Sequence, residues 1–427
     1  MSNPLTRMAG LLLLVWLASP NGLAGQPQAS AGAARRWKGN LHTHSFWSDG
    51  DDYPEMIVAW YKDHGYDFLA LSDHNRMLVG EKWVAALTNG VAEVALEKYL
   101  QRFGTNWVER LQTNGHWRVR LKTLEEFRGR FEEPGRFLRI SGEEISDQWE
   151  TAPIHLNATN LRQLIPPQGG SNALDVMQRN INAVLDQRQK TGVPMIPHIN
   201  HPNFRWALTA EDIARVQGER FLEIYNGHPI TWNYGDTNHA STERIWDIVL
   251  TRRLAELGAE PIWGTAVDDS HNYHQFKYGR SNPGRGWLMV RAEQLTPAAL
   301  IAALEKGDFY ASSGVRLKEV ISAKDRLSLQ IEPDEGVTYT TQFIGTRKGY
   351  DPTSEPVLGA EGQPVLTTRR YSKDIGTVLA EVKGLSPSYT LKGDEIYVRA
   401  KVISSKPKPN PTEPGDVECA WVQPVVR

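Results

Sequence analysis

The chain has 427 residues, of which 40% are hydrophobic and 23% charged, with a formal net charge of −2. That is room for two domains of ordinary globular composition, with no electrostatic case for nucleic acid or for a polybasic membrane patch. A single cysteine, Cys419, excludes an internal disulfide and leaves histidine, aspartate and glutamate as the side chains able to hold a metal.

In chain order, the N-terminus has the three parts of an export signal: Arg7, an apolar run over residues 10–18, and small residues at 22–24. Residues 1–24 are therefore expected to be a signal peptide, and the mature chain to be periplasmic or secreted. The run is too short to span a bilayer and no later stretch matches it, so no span is expected in the mature chain. Residues 25–36 read as a flexible linker. A short strand at 38–41 leads to His42 and His44. Pro54 opens a helix with Met56, Ile57, Trp60 and Tyr61 on one face, closed near Gly65. A strand at 67–71 runs directly into Asp73 and His74. Residues 78–138 break this rhythm and read as a helical insertion, a lid or wall of a substrate pocket.

The alternation resumes with strands at 137–140, 154–157, 194–196, 221–225 and 261–263, and with helices at 174–191, 241–257 and 295–305. Repeated strand–helix units predict a parallel α/β architecture, with chemistry at the C-terminal ends of the strands if the sheet closes into a barrel. From residue 316 the pattern becomes short alternating segments, at 327–331, 377–382 and 396–403, which predict a small β-sandwich. The Lys- and Pro-rich stretch at 406–414 reads as an exposed loop.

The polar clusters fall at those strand ends: His42 and His44 with Asp49, then Asp73 and His74, Glu143 and Glu144, His155, His198 and His201, and Asp268, Asp269 and His271. In His42-Thr43-His44 the two imidazoles share a face, because residues two apart in a strand point the same way. Imidazole nitrogen and carboxylate oxygen in this mixture suit zinc, manganese or iron, and nine such ligands serve two or three divalent ions. A lone pair of histidines is weak evidence for a metal; the ordered set is strong.

The series HTHSFWSDG (42–50), SDHN (72–75), GEEIS (142–146), IHLNA (154–158), NHPN (200–203) and DDSH (268–271) resembles the PHP superfamily of metal-dependent phosphoesterases. Within it, the sequence is most similar to the branch of carbaryl-hydrolase-like metallohydrolases, as are FLEIYNG (221–227) and GDFYASSGV (307–315). The resemblance covers about two thirds of the chain. It implies a distorted (β/α)7 barrel over 37–315, interrupted by the insertion at 78–138 and followed by the β-sandwich at 316–427. It further implies that His42 and His44 hold one ion, that Glu144 bridges it to a second, and that Asp269 completes the first site. His155 and His201 would hold the second ion, and Asp49, His74 and His271 a third. Glu144, Asp269 and His271 would carry the catalytic roles. Glu143 competes with Glu144, and His198 with His201; the Gly-x-Glu and His-Pro patterns of the family favour Glu144 and His201. Asp73 and Asp268 are expected to orient ligand imidazoles.

Such a cluster predicts hydrolysis by a metal-bridging hydroxide, with a small organophosphate as the first substrate class. A carbamate, carboxylic ester or amide is the alternative on the same metals. A non-catalytic carbohydrate- or surface-binding protein is a third reading, which the intact ligand set disfavours. For a phosphoester, Arg76, Arg205 and Arg280 are the candidate substrate-binding cations, by proximity to the motifs.

Overall fold

The computed structural model describes residues 34–86 and 90–426. The expected signal peptide and residues 25–33 of the expected linker lie outside the described residues. The end of that linker is already sheet: strand β1 (Arg35–Asn40) pairs Arg35 with Ala292 and Arg36 with Arg291.

Helix α1 (Pro54–Asp63) begins with Pro54, whose fixed φ suits the first turn and whose missing N–H is not needed there. It buries Ile57, Val58 and Tyr61 and delivers the chain to β2 (Phe68–Leu71), parallel to β1. The insertion then builds a separate three-stranded antiparallel sheet from β3 (Trp83–Ala86), β4 (Arg110–Thr113) and β5 (His116–Arg120). Helices α2 (Val91–Phe103) and α3 (Leu124–Phe131) flank it, α3 starting at a Thr123/Glu126 capping box. So the segment read as helical holds three short strands beside its two helices, and Trp, Arg and Val alternate at period two over 117–120.

Strand β6 (Leu138–Trp149) runs parallel to β2 and then continues as a hairpin with β7 (Ala152–Thr159). Helix α4 (Ala173–Thr191) is capped by the Asn172 side chain and ends on left-handed Gly192. Strand β8 (Ile196–Ile199), the short helix α5 (Ala210–Arg215), β9 (Phe221–Asn226), α6 (Thr242–Thr251) and β10 (Trp263–Val267) complete the parallel set, with β7 the antiparallel member. Strand β11 (Trp287–Ala292), helix α7 (Pro297–Glu305) and β12 (Phe309–Ser312) follow.

The C-terminal region is β-rich, as expected. Its strands are β13 (Leu317–Ala323), β14 (Arg326–Ile331), β15 (Tyr339–Arg347), the two-residue β16 (Ser354–Glu355) and β17 (Arg370–Tyr371), β18 (Thr377–Lys383), β19 (Ser388–Thr390), β20 (Glu395–Pro407) and β21 (Val417–Val426). Four of them extend the main sheet, whose order is β10-β9-β8-β7-β6-β2-β1-β11-β12-β21-β20-β15-β18. The small sheet β13-β14-β19 packs on it through Leu327, Leu329 and Ile331 against Phe343 and Val398. The stretch expected as an exposed loop is tucked in instead. Lys408 is buried and its Nζ donates to the Tyr225 hydroxyl at 2.9 Å, while the Arg285 guanidinium donates to the Asn410 carbonyl and side chain.

Among the described residues no backbone ladder joins β10 to β11, β12 or β21, so backbone pairing does not close the expected ring. The gap is bridged by a side chain. Gln423 of β21 accepts from the Gly264 N–H at 2.9 Å and donates to the Gly264 carbonyl at 2.8 Å, taking the place of a neighbouring strand. The main core lies between the strands and α4 to α7 and includes Tyr397 and Trp421 from the C-terminal strands. A second core joins α1 to the insertion through Tyr53, Tyr99, Phe127 and Phe137. No helix among the described residues is long and apolar enough to cross a membrane.

Candidate metal centre

The chain leaves β1 in a sharply specified turn. The Asn40 side chain accepts from the His42 N–H at 2.9 Å and donates to the Gly286 carbonyl at 3.0 Å. Thr43 turns the other way, its hydroxyl donating to the Ala70 carbonyl at 2.6 Å. His42 and His44 therefore emerge together, fully buried, with ring centroids 5.1 Å apart. Beyond β10, Asp269 arrives with φ of 48°, a left-handed conformation that only firm anchoring maintains in a non-glycine residue. Its N–H donates to the His42 carbonyl at 3.0 Å and its Oδ2 accepts from Asn226 at 3.1 Å.

Glu144 lies at the centre. It stands in the middle of β6, level with the mouth, because β2 ends beside Ser141 and His74 bridges Glu144. Its Oε1 is 3.4 Å from His42 Nε2, 3.3 Å from His201 Nε2 and 3.0 Å from His155 Nδ1. Its Oε2 is 3.5 Å from His44 Nε2 and 2.6 Å from His74 Nδ1. Asn200 holds the carboxylate by donating to Oε1 at 2.7 Å. His155 reaches the centre from the antiparallel hairpin strand β7, opposite Ser146, and not from a strand end. Asp269 Oδ1 lies 3.2 Å from His42 Nε2 and 3.1 Å from His44 Nε2. Asp49, on the exposed side, is 3.4 Å from His271 Nε2 and 3.6 Å from His74 Nε2.

These separations suit metal ligands. Two donors each about 2.1 Å from a tetrahedral ion lie about 3.4 Å apart. Five groups of ligand atoms converge this way: His42/His44/Glu144, His42/His201/Asp269, His74/Glu144/His155, His44/Asp49/His74/His271 and, beneath them, His42/His198/Glu223. His42 Nε2, His44 Nε2 and Glu144 Oε2 are buried and make no well-aligned hydrogen bond among the described residues, although Glu144 Oε2 lies 2.6 Å from His74 Nδ1. Three orphaned polar atoms on one buried cluster are costly unless something else satisfies them, and a divalent cation does so. The charges agree. Burial alone would raise the Glu144 and Asp269 carboxyls, yet the surrounding imidazoles hold both well below the usual range. Burial, with the like charges of His271 and His74, pushes His44 down to about 3. Burial opposes protonation of His74 too, but Glu144 and Asp49 prevail and raise it to about 9.

The alternative ligands lie elsewhere. Glu143 faces away from the centre, where it accepts from the Ile165 N–H at 2.6 Å, because neighbouring residues of a strand point to opposite faces. His198 sits beneath the centre, its Nε2 3.2 Å from Glu223 Oε1. Asp73 and Asp268 were expected to orient imidazoles, and neither hydrogen-bonds one among the described residues. Asp73 accepts from Ser45 and Ser48 and so fixes the loop after His44. Asp268 accepts the N–H groups of Gly284, Arg285 and Gly286 and the Tyr61 hydroxyl.

Sequence reading overlooked the carboxylate that does orient a ligand. Glu223, in the middle of the fully buried strand β9, accepts from His42 Nδ1 at 2.7 Å and from the His201 N–H at 2.8 Å. A glutamate inside the apolar run FLEIYN was the available signal, since a buried charge requires partners.

Beside the cluster is a cavity of about 230 Å³. It is lined by the candidate ligands Asp49, His74, His155, His201, Asp269 and His271, and by Phe204, His228, Ile230 and Thr231. Arg76, Arg205 and Arg280 do not line it and are exposed at the surface. Arg205 is carried away by a tight turn with φ of 51° at Arg205 and 56° at Trp206. Among the described residues the insertion contributes nothing to the cavity wall either. It braces the Asp49 loop from behind: Trp47 Nε1 donates to the Lys122 carbonyl at 3.2 Å and Lys82 Nζ to the Trp47 carbonyl at 2.6 Å.

No protein-family model matches the chain, and no curated protein matches it. Among the solved structures similar to it are the following two. One is a two-domain protein of Bacteroides vulgatus containing a predicted PHP-like metal-dependent phosphoesterase, with TM-score 0.39 and 15% identity over 91% of this chain and 95% of that one. The other is a candidate metal-dependent phosphoesterase of Bifidobacterium adolescentis, with TM-score 0.30 and 13% identity over 62% of this chain and 95% of that one.

Proposed function

We propose that this chain is a metal-dependent hydrolase, and that its first substrate class is a small phosphoester. The observation that carries this is the set of orphaned buried atoms, His42 Nε2, His44 Nε2 and Glu144 Oε2, ringed by further imidazoles and carboxylates beside an open cavity. Two or three divalent ions of zinc, manganese or iron type suit that donor set. When bound, they supply an activated water and charge neutralisation for the oxyanion. The chain's own groups do the rest. Glu144 and Asp269 stay ionised, Asn200 and Glu223 hold the first ligands in place, and Phe204 and Ile230 give the substrate an apolar wall. Export, on Arg7 and the apolar run that follows it, belongs to the same proposal.

A second reading has its own support. Among the described residues the cavity wall carries no lysine or arginine, which suits a neutral carbamate, carboxylic ester or amide as well as a phosphoester. Purified protein loaded with manganese or zinc, assayed on 4-nitrophenyl phosphate and 4-nitrophenyl acetate, separates the two. Chelator-sensitive phosphate release supports the first reading, and turnover of the acetate alone supports the second. A chain that binds no metal by elemental analysis would overturn both.

A further inference from the structure

Hydrolysis of any ester at this centre builds negative charge on an oxygen that the chain must meet with a donor. Of the four cavity-lining residues that are not candidate ligands, Phe204 and Ile230 have no polar side-chain atom. The Thr231 hydroxyl is committed, donating to the His228 carbonyl at 2.7 Å. That leaves His228, which belongs to none of the ligand groups. Its Nδ1 accepts the Ile230 N–H at 3.3 Å, so the ring proton sits on Nε2, and Nε2 has no hydrogen-bond partner among the described residues. The ring stands edge-on to His271, with centroids 5.2 Å apart, at the cavity.

The turn that carries it is rigidly built. The His228 N–H donates to Asn226 Oδ1 at 2.8 Å, and the Asn226 N–H to Asn233 Oδ1 at 3.0 Å. Gly227 before it permits the approach: a Cβ there would stand 2.7 Å from the Asp268 carbonyl oxygen. Asn226 also donates to Glu223 and Asp269, so one side chain sets the distance between His228 and the metal cluster.

We propose that His228 is a substrate-binding catalytic residue, whose Nε2–H donates a hydrogen bond to a non-bridging oxygen of the scissile group as charge develops on it. The inference rests on the hydrolase reading above. No bond to His228 forms or breaks, and it transfers no proton.

The test uses the full metal-loaded chain and the variants H228A and H228Q, with whichever 4-nitrophenyl ester the wild type hydrolyses and with inorganic phosphate as the binding probe. H228A is expected to lose about a hundredfold in kcat with KM nearly unchanged, to bind phosphate about tenfold more weakly, and to keep its metal content. H228Q, which retains an N–H donor, is expected to recover part of both losses and guards against a folding artefact in the alanine variant. Wild-type kcat and phosphate affinity in H228A would overturn the proposal, as would loss of metal from both variants, which would make His228 a ligand. A wild type that binds phosphate through His228 but hydrolyses neither ester would sink the hydrolase reading and leave the donor standing.

Discussion

Glu223 is fully buried, yet it reaches the candidate metal centre through His42. Burial alone would raise its carboxyl, but His42 and His198 outweigh this and hold it down at about 2. The anion thus fixes the proton of His42 on Nδ1 and leaves Nε2 free for an ion. E223Q keeps the shape and removes the charge. Metal affinity is expected to fall about 10- to 100-fold, measured by competition with a chromophoric chelator, with the circular dichroism spectrum unchanged. Affinity within twofold of wild type would show that packing alone orients the ring. His74 gives a pH dependence. Without metal its imidazole is raised to about 9, so at pH 7 it carries a proton that a metal must displace. Loading is therefore expected to release protons at pH 7, seen as buffer-dependent calorimetric heats. Affinity should rise with pH up to about 9 and then flatten.

The elements that carry ligands are short, and what holds them is often a single side chain. Asp73, expected beside an imidazole, works one step back by tying Ser45 and Ser48, and so shapes the loop from which Asp49 extends. The seam beside β10 is the clearest case. A strand edge there has unpaired backbone groups, and the Gln423 amide satisfies both sides of Gly264. Gln423→Ala is expected to cost roughly 1–3 kcal/mol, because a buried N–H and carbonyl lose their partner. Thermal unfolding checks this, and an unchanged midpoint would mean that water replaces the amide. No local pattern revealed this contact. A glutamine in VECAWVQPVV reads as an ordinary polar strand residue, and its partner lies 159 positions away.

At the scale of the whole molecule, the β-rich C-terminal region is wired into the main sheet. Strand β21 pairs with β12, and α6 is held to β20 by a buried ion pair in which Arg399 donates to both Asp247 oxygens at 2.7 Å. Truncation after residue 315 would uncover the β12 edge and the part of the main core that Tyr397 and Trp421 cover. The shortened chain is expected to be insoluble or to lose its cooperative thermal transition; a soluble, metal-binding fragment would show that the N-terminal strands stand alone.

The ligand types and their order along the chain were determined by the sequence alone, because a strand end followed by His or Asp is a local pattern and strand periodicity says which residues share a face. The same alternation places Glu143 and Glu144 on opposite faces of β6, without saying which of them meets the imidazoles. Only the tertiary structure decided the rest. Glu223 and His228 matter because of what they face across the sheet. His155 comes from a hairpin strand that looks, in sequence, like another parallel one. The arginines near the motifs point away from the cavity, since a left-handed turn or an exposed loop is invisible to spacing. Hydrogen bonds and ion pairs between distant segments depend on how strands are ordered in the sheet, and that order is a property of the packed whole.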